Sequence, residues 1–291
     1  MRLLLVIFLF AATTAFSQQQ KQPSFIGPEK GSLIIVGGGK VGADIWARFI
    51  ELAGGPNASI VVIPTAGEDS AINSGKSFER DLLQNLGVQN VVVVHTRDPK
   101  TANTAAFVAP IKKATGIWFV GGRQWKLADA YLNTLAHTAF NDLLNRGGVI
   151  AGTSAGATIQ GSFLLRGDTK GNNTLEGDHI QGLDFIHNVA IDQHVLRRNR
   201  QFDLINVIKA HPQLLGIGID ESTAIVVQKN TFEVIGNSYV AIYDIKQING
   251  QEKAVTGENG TGGPFFFLQK GQRFDLETRK VIRSSVSTPA N

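Results

Sequence analysis

The chain has 291 residues, 43% of them hydrophobic, and its mean hydropathy is close to zero, at +0.01. This composition is typical of a globular protein and excludes a wholly disordered chain. The formal net charge of +4 is spread along the sequence without a block of Lys or Arg, so no nucleic-acid partner is predicted. Because the chain has no cysteine, disulfides, thiolate metal ligands, a cysteine nucleophile and a lipidated cysteine are excluded.

The first residues have the pattern of an export signal. Met1 and Arg2 precede an apolar run, residues 3–12, which is followed by the small-x-small sequence Ala15-Phe16-Ser17. We predict a signal peptide over residues 1–17 and an exported mature protein, periplasmic or extracellular, without a membrane span. An uncleaved anchor is the alternative, although the run is shorter than the ~20 apolar residues that a span requires.

Composition also marks the limits of the folded part. Residues 18–31 are rich in Gln, Pro and Gly and are predicted to be a flexible lead-in. A single α/β domain is predicted over residues 32–285, with a long polar loop at 247–263, and residues 286–291 form a tail.

Strands and helices alternate through the first half of this domain. Short apolar runs, typical of strands buried on both faces of a parallel sheet, lie at residues 33–36, 59–64, 90–95, 116–120 and 148–151. Helical periodicity separates them, at residues 42–53, 74–86, 125–132 and 136–146. This order predicts a doubly wound, mainly parallel sheet. After an amphipathic stretch at residues 200–210, further strands are predicted at 215–219, 222–228, 231–235 and 239–243, and we expect antiparallel strands to extend one edge of the sheet.

One motif carries a nucleophile. The apolar run ending at Ala151 continues into Gly152-Thr153-Ser154-Ala155-Gly156, a Gly-x-Ser-x-Gly sequence between a predicted strand and a predicted helix. Glycines leave room for the sharp turn that lifts the Ser154 hydroxyl above the sheet, and the following backbone N–H groups can stabilise an oxyanion. In the alternative interpretation Ser154 only caps a helix.

A serine hydroxyl needs a base, and His194 is the strongest candidate among six histidines. It follows the apolar run at residues 189–191 and the polar pair Asp192-Gln193, which places it at the carboxyl edge of the sheet, where ligands bind in such folds. The other five histidines lie in polar helices and loops or beside an element end, and we expect them to be structural or solvated.

A glycine-rich turn, residues 36–42, offers a different function. It follows a strand and precedes a helix, so it could hold a phosphate group and make the chain a nucleotide-binding protein. Its spacing, however, matches neither the dinucleotide fingerprint nor the P-loop.

Four linked motifs together resemble the cyanophycinase family, peptidase family S51, whose members are related to aspartyl dipeptidases. They are Gly121-Gly122-Arg123-Gln124, Gly152 to Ala157, Ile191 to His194 with Arg198-Asn199-Arg200, and His211 to Glu221. The resemblance implies a flavodoxin-like fold of the class I glutamine-amidotransferase type. It also implies a serine exopeptidase that releases β-Asp-Arg dipeptides from cyanophycin, a polymer with an aspartate backbone and arginine side chains, without a metal or cofactor.

The same resemblance assigns roles to residues. Ser154 attacks the carbonyl carbon, His194 transfers the proton, and the N–H groups of Gly122 and Ala155 form the oxyanion hole. Further positions are implied to bind the substrate, namely Arg123, Gln124, Asp192, Gln193, Arg198 and Arg200.

Some positions depart from the family's pattern. The third triad member is an acid between nucleophile and base, and the stretch where it is expected, residues 170–172, contains none. We therefore predict Asp168, directly after the helix that Ser154 begins, with Glu176 as the second candidate, and we interpret Glu221 as structural. Arg123 replaces an acid and Asp203 replaces an arginine, which should change the charges that the pocket accepts.

These departures leave three interpretations open: a cyanophycinase, an Asp-specific dipeptidase or isopeptidase that acts on other peptides, and an inactive binding protein of the same fold. The predicted partner is a peptide or cyanophycin-like substrate, and analogy with the family implies a homodimer.

Overall fold

The computed structural model describes residues 25–251 and 263–283. The predicted signal peptide, residues 18–24 of the lead-in, residues 252–262 of the predicted loop and the predicted tail lie outside the described residues. Among the residues that are described, no helix is long and apolar enough to cross a membrane.

Strands and helices alternate as the sequence predicts. The strands are β1 (Ser32–Val36), β2 (Ser59–Ile63), β3 (Asn90–Val93), β4 (Gly116–Phe119), β5 (Val149–Thr153), β6 (Gly161–Gly167), β7 (His179–Gln181), β8 (Ile186–Gln193), β9 (Leu215–Ile219), β10 (Thr223–Gln228), β11 (Thr231–Gly236), β12 (Tyr239–Tyr243), β13 (Phe266–Gln269), β14 (Arg273–Asp275) and β15 (Lys280–Ile282). The helices are α1 (Ala43–Ala53), α2 (Asp69–Asn73), α3 (Phe78–Asn85), α4 (Pro99–Ala102), α5 (Ala105–Lys113), α6 (Gln124–Tyr131), α7 (Leu135–Asn145), α8 (Ala155–Thr158), α9 (Asp203–Ala210) and α10 (Ile245–Ile248).

The larger sheet has nine strands in the order β15-β14-β11-β10-β1-β5-β4-β2-β3. The five strands from β1 to β3 in this order are parallel to one another, whereas β10, β11, β14 and β15 extend the β1 edge in antiparallel fashion. The predicted α/β fold with a parallel centre is therefore confirmed.

A second sheet was not predicted. It has six strands in the order β13-β12-β9-β8-β6-β7, so β9 and β12 leave the larger sheet that we expected them to extend. The pairing of β9 with β8 is parallel and that of β9 with β12 is antiparallel. Strands β6 and β8 contain Arg166, Asn188 and Asp192, and these polar residues interrupt the continuous apolar run by which the other parallel strands are identified.

Helices cover both faces of the larger sheet because alternate residues of its strands face opposite sides. Ile34 and Val36 of β1 belong to the core under α1 and α3, whereas Leu33 and Ile35 belong to the core under α5, α6 and α7. On the first face Trp46 of α1 stacks on Trp118 of β4, with ring centroids 3.9 Å apart.

On the second face, Phe140 of α7 connects the two sheets. Its ring makes edge-to-face contacts with Phe119 of β4, at 5.2 Å between centroids, and with Phe185, which precedes β8, at 6.3 Å. Such pairs add to the stabilisation from burial alone.

We expect Phe140→Ala to lower the free energy of unfolding by about 3–5 kcal/mol, because the side chain is fully buried and the cavity cannot close. Urea denaturation followed by circular dichroism measures the change. The matched control is Phe78→Ala. The Phe78 side chain is 71% exposed, so this substitution should change the free energy of unfolding by no more than about 0.5 kcal/mol. Equal effects of the two substitutions would contradict this account of the core.

Candidate active site

Ser154 lies in a sharp turn between β5 and α8. Its backbone has φ 55° and ψ −111°, a conformation that costs a non-glycine residue free energy and is typical of functional sites. A Cβ atom on Gly152 would lie 2.3 Å from the Gly156 carbonyl oxygen, and one on Gly156 would lie 2.2 Å from the Phe119 carbonyl oxygen. Only glycine fits at both positions, as the Gly-x-Ser-x-Gly motif predicts.

The helix after Ser154 is shorter than we expected. α8 ends at Thr158, and the chain enters β6 at Gly161. Asp168 therefore follows a strand and not the helix that Ser154 begins, because the chain crosses from the larger sheet to the second one at this point.

His194 stands one residue beyond β8, with φ 56°. Its Nε2 atom is 2.9 Å from Ser154 Oγ, within hydrogen-bond distance. Its backbone N–H donates to the Gly37 carbonyl oxygen at 2.8 Å, which attaches the base to the turn after β1. The structure thus brings together the predicted nucleophile and base.

The acid beside His194 is Glu221. Its Oε1 atom is 2.7 Å from His194 Nδ1. An ionised carboxylate can only accept, so Nδ1 carries the ring proton and Nε2 is left to accept the Ser154 hydroxyl proton. We had interpreted Glu221 as structural, and the position that the structure gives it corrects that interpretation.

Neither predicted acid reaches His194. Asp168 Oδ1 accepts the backbone N–H groups of Lys170 and Gly171, at 2.8 and 3.0 Å. Glu176 Oε2 is 3.0 Å from Nε2 of another histidine, His211. Glu221 was missed because an acid was sought between Ser154 and His194 in the chain.

The signal for Glu221 is the sheet register. Gln193, at the end of β8, pairs with Ile219, at the end of β9. Parallel neighbours end at the same edge, so His194, directly after β8, and Glu221, two residues after β9, come close together there.

The glycine-rich turn that also suggested a nucleotide site packs against this pair. A Cβ atom on Gly38 would lie 2.2 Å from His194 Cε1, and one on Gly39 would lie 2.7 Å from Glu221 Oε2. The backbone N–H of Ser222 donates to the Gly38 carbonyl oxygen at 2.9 Å. The turn accordingly forms the surface on which the base and the acid rest.

Burial lowers the pKa of His194 below its usual range, and the positive charges of Arg198 and Arg200 lower it further, whereas the hydrogen bond and charge of Glu221 oppose the shift. The imidazole is therefore neutral near pH 7 and able to accept a proton.

Two backbone N–H groups lie beside Ser154 without an acceptor. Those of Gly122 and Ala155 donate to no oxygen of the described residues. Gly122 has φ 143°, and a Cβ atom there would lie 2.0 Å from the Ala66 carbonyl oxygen, so this close approach requires glycine. A Cβ atom on the preceding Gly121 would lie 3.3 Å from Ser154 Cβ. The pair can donate to an oxyanion formed at Ser154.

A buried ion network occupies several of the predicted substrate-binding residues. Arg166 donates to both carboxylate oxygens of Asp192, at 2.8 Å each, and to Asp203 Oδ2 at 2.7 Å. Arg200 donates to the side-chain and backbone oxygens of Gln193, at 2.9 and 3.2 Å. Asp192, Gln193 and Arg200 are thus held inside the protein beside His194.

The remaining predicted binding residues differ in exposure. Arg123 donates to the Asp168 carbonyl oxygen at 2.6 Å, and buried Gln124 donates to the Leu165 carbonyl oxygen at 2.8 Å while its Oε1 atom has no partner in the described part of the chain. Arg198 is exposed to solvent. The described residues contain no cluster of three or more His, Cys, Asp or Glu that could hold a metal ion.

A Ser, His and Glu linked in this way at the carboxyl edge of an α/β sheet define a serine hydrolase. The chain belongs to peptidase family S51, whose model matches residues 33–235, and it is a serine-type peptidase.

Known proteins support this assignment. Cyanophycinase from Nostoc sp. is 31% identical over 265 residues, covering 87% of this chain and 88% of that protein. Cyanophycinase from Geminocystis herdmanii is 33% identical over 222 residues, covering 74% and 81%. The crystal structure of a peptidase from an acI-B1 Actinobacterium superposes with a TM-score of 0.63 at 25% identity, covering 86% of this chain and 98% of that one. These matches confirm the flavodoxin-like fold.

We expect the His194 imidazole to titrate below its ordinary pKa of about 6.5, and still lower in Glu221→Gln, because that substitution removes the carboxylate whose hydrogen bond and charge stabilise the protonated ring. NMR titration of the histidine ring C–H groups measures both values. Asp168→Asn and Glu176→Gln are the controls and should leave the His194 pKa unchanged. A rise in Glu221→Gln, or an equal shift in a control, would contradict the geometry.

Proposed function

We propose that this chain is an exopeptidase that hydrolyses cyanophycin to β-Asp-Arg dipeptides through an acyl-enzyme on Ser154. The observation that carries the proposal is the linked contact from Ser154 Oγ to His194 Nε2 and from His194 Nδ1 to Glu221. The substrate is suggested by relatives, about 31% identical over most of their length, that bear the name cyanophycinase.

The chemistry follows from the arrangement of these groups. Ser154 Oγ forms a bond to the scissile carbonyl carbon while His194 Nε2 takes the hydroxyl proton, and the N–H groups of Gly122 and Ala155 stabilise the oxyanion. When the C–N bond breaks, His194 returns the proton to the leaving amine. Water then enters, His194 takes its proton, and hydrolysis of the ester releases the product acid and restores Ser154. In each step Glu221 stabilises the charged imidazolium.

The charges around the site favour a second candidate substrate. Asp203, where the family has an arginine, is paired with Arg166, and Arg123, where the family has an acid, is bonded to a backbone carbonyl. The site therefore lacks one of the family's pocket arginines, and an Asp-specific dipeptidase or isopeptidase activity on other peptides is the alternative. The displaced acid and the exported location suggest an inactive binding protein as a third interpretation, and the contact between Glu221 and His194 supports the enzyme instead.

We expect mature protein incubated with insoluble cyanophycin to release β-Asp-Arg, detected by mass spectrometry, and Ser154→Ala to abolish release because it removes the hydroxyl that contacts His194 Nε2. Labelling by a fluorophosphonate probe shows whether Ser154 is reactive. Labelled enzyme that releases nothing would exclude the polymer and leave other aspartyl peptides as substrates. Release that persists in Ser154→Ala would refute the mechanism.

We also propose that the protein is exported after removal of residues 1–17, on the evidence of the charged start, the apolar run and the small-x-small site. N-terminal sequencing of the native protein should begin at Gln18. A sequence that begins at Met1 in membrane-bound protein would instead show an uncleaved anchor. By analogy with its family, the mature protein is proposed to form a homodimer.

A further inference from the structure

A cavity of about 460 Å³ lies beside the triad, between the glycine-rich turn, α1, α3 and the ends of β4 and β5. Its volume is in the range of small-ligand sites. It shares two residues with the surroundings of the triad. Gly39 lines the cavity and also supports Glu221, and Thr153 lines it and directly precedes Ser154. The cavity therefore borders residues that contact or directly precede members of the triad.

The walls of the cavity are apolar. Trp46 and Trp118, stacked on each other, contribute to its lining. Phe78 and Leu86 of the α3 region also line it, and they are 71% and 49% exposed, which leaves large apolar side chains facing water. Covering this surface with an apolar group would remove it from water, a favourable change in free energy.

The charged groups favour a neutral ligand. Lys40 and Glu79 are the lining residues with ionisable side chains, and their formal charges cancel. Glu79 makes no hydrogen bond or ion pair with another described side chain, and burial raises its pKa.

Two polar atoms of the lining residues are also unsatisfied. Trp118 Nε1 and Thr153 Oγ are buried and have no hydrogen-bond partner within the described residues. Unsatisfied buried donors carry a cost of about 1–3 kcal/mol each.

We propose that this cavity is a subsite for an uncharged, apolar side chain of the peptide substrate. The inference rests on the proposed peptidase function for the identity of the ligand. Because cyanophycin contains only aspartyl and arginyl units, an apolar subsite would serve the second candidate activity, on other aspartyl peptides.

Binding can be measured without turnover. Ser154→Ala combined with Trp125→Phe leaves two of the three tryptophans, both at the cavity, as fluorescence reporters. We expect N-acetyl-L-phenylalaninamide to bind at least about tenfold more tightly than N-acetyl-L-alaninamide, from the larger buried area, and N-acetyl-L-lysinamide to bind no better than the alanine compound.

Matched variants locate the site. Ala43 is exposed, lines the mouth of the cavity and begins α1, whereas Ala47 is exposed on the same helix and does not line it. Ala43→Phe should weaken binding of the phenylalanine compound at least about tenfold, and Ala47→Phe should leave it within about twofold. In active enzyme, aspartyl peptides with Phe should have a lower KM than those with Ala, and Ala43→Phe should remove the difference.

The Glu79→Gln variant distinguishes a site for apolar ligands from a site for cations. Removal of the acid should maintain or strengthen binding of the phenylalanine compound. Tighter binding of the lysine compound, lost in Glu79→Gln, would overturn the proposal in favour of a cation site. Equal affinities, or no effect of Ala43→Phe, would overturn it altogether. Fluorescence binding without hydrolysis of either cyanophycin or aspartyl peptides would leave the cavity as an apolar binding site and refute the proposed function instead.

Discussion

The site depends on van der Waals contact between the His194 imidazole and a turn of three glycines. At Gly38 even a single added carbon would overlap the ring, and at Gly39 it would overlap Glu221. The same turn accepts the His194 backbone N–H through Gly37 and that of Ser222 through Gly38. The orientation of the base is therefore set by the absence of side chains on a segment far away in sequence, as close approach of backbone to another group requires.

Each of the two sheets supplies part of the site around this contact. The larger sheet supplies Ser154 at the end of β5 and the glycine turn at the end of β1, whereas the second sheet supplies His194 after β8. Glu221 lies in the link by which the chain leaves β9 and enters β10. Each of these positions lies just after the carboxyl end of a parallel strand. This is the edge at which open α/β folds place their sites. Main-chain hydrogen bonds from Ser154 to Val36, from His194 to Gly37 and from Ser222 to Gly38 attach these positions to the end of β1 and the turn after it.

The alternation of strands and helices, the nucleophile and the base could be predicted from sequence because each has a local pattern. Apolar runs identify β1 to β5, and Gly152 and Gly156 identify the turn at Ser154. Glu221 has no such pattern, since its nearness to His194 comes from the pairing of β8 with β9. The Arg166 network likewise depends on the strands that place Asp192 beside it, and the polar residues in β6 and β8 concealed the second sheet. The features that the sequence did not predict all depend on the pairing of strands that are separate in the chain.

The site joins groups that are distant in the chain, and this separation affects how fast the protein folds. The hydroxyl of Ser222, next to Glu221, donates to the Lys40 carbonyl oxygen, a contact that spans 182 positions. Contacts of such separation slow folding, because a long loop must close before they contribute to stability. The base and acid have their support only when the first strand and the last third of the domain are together. A chain in which these two parts are apart has a serine but no assembled relay.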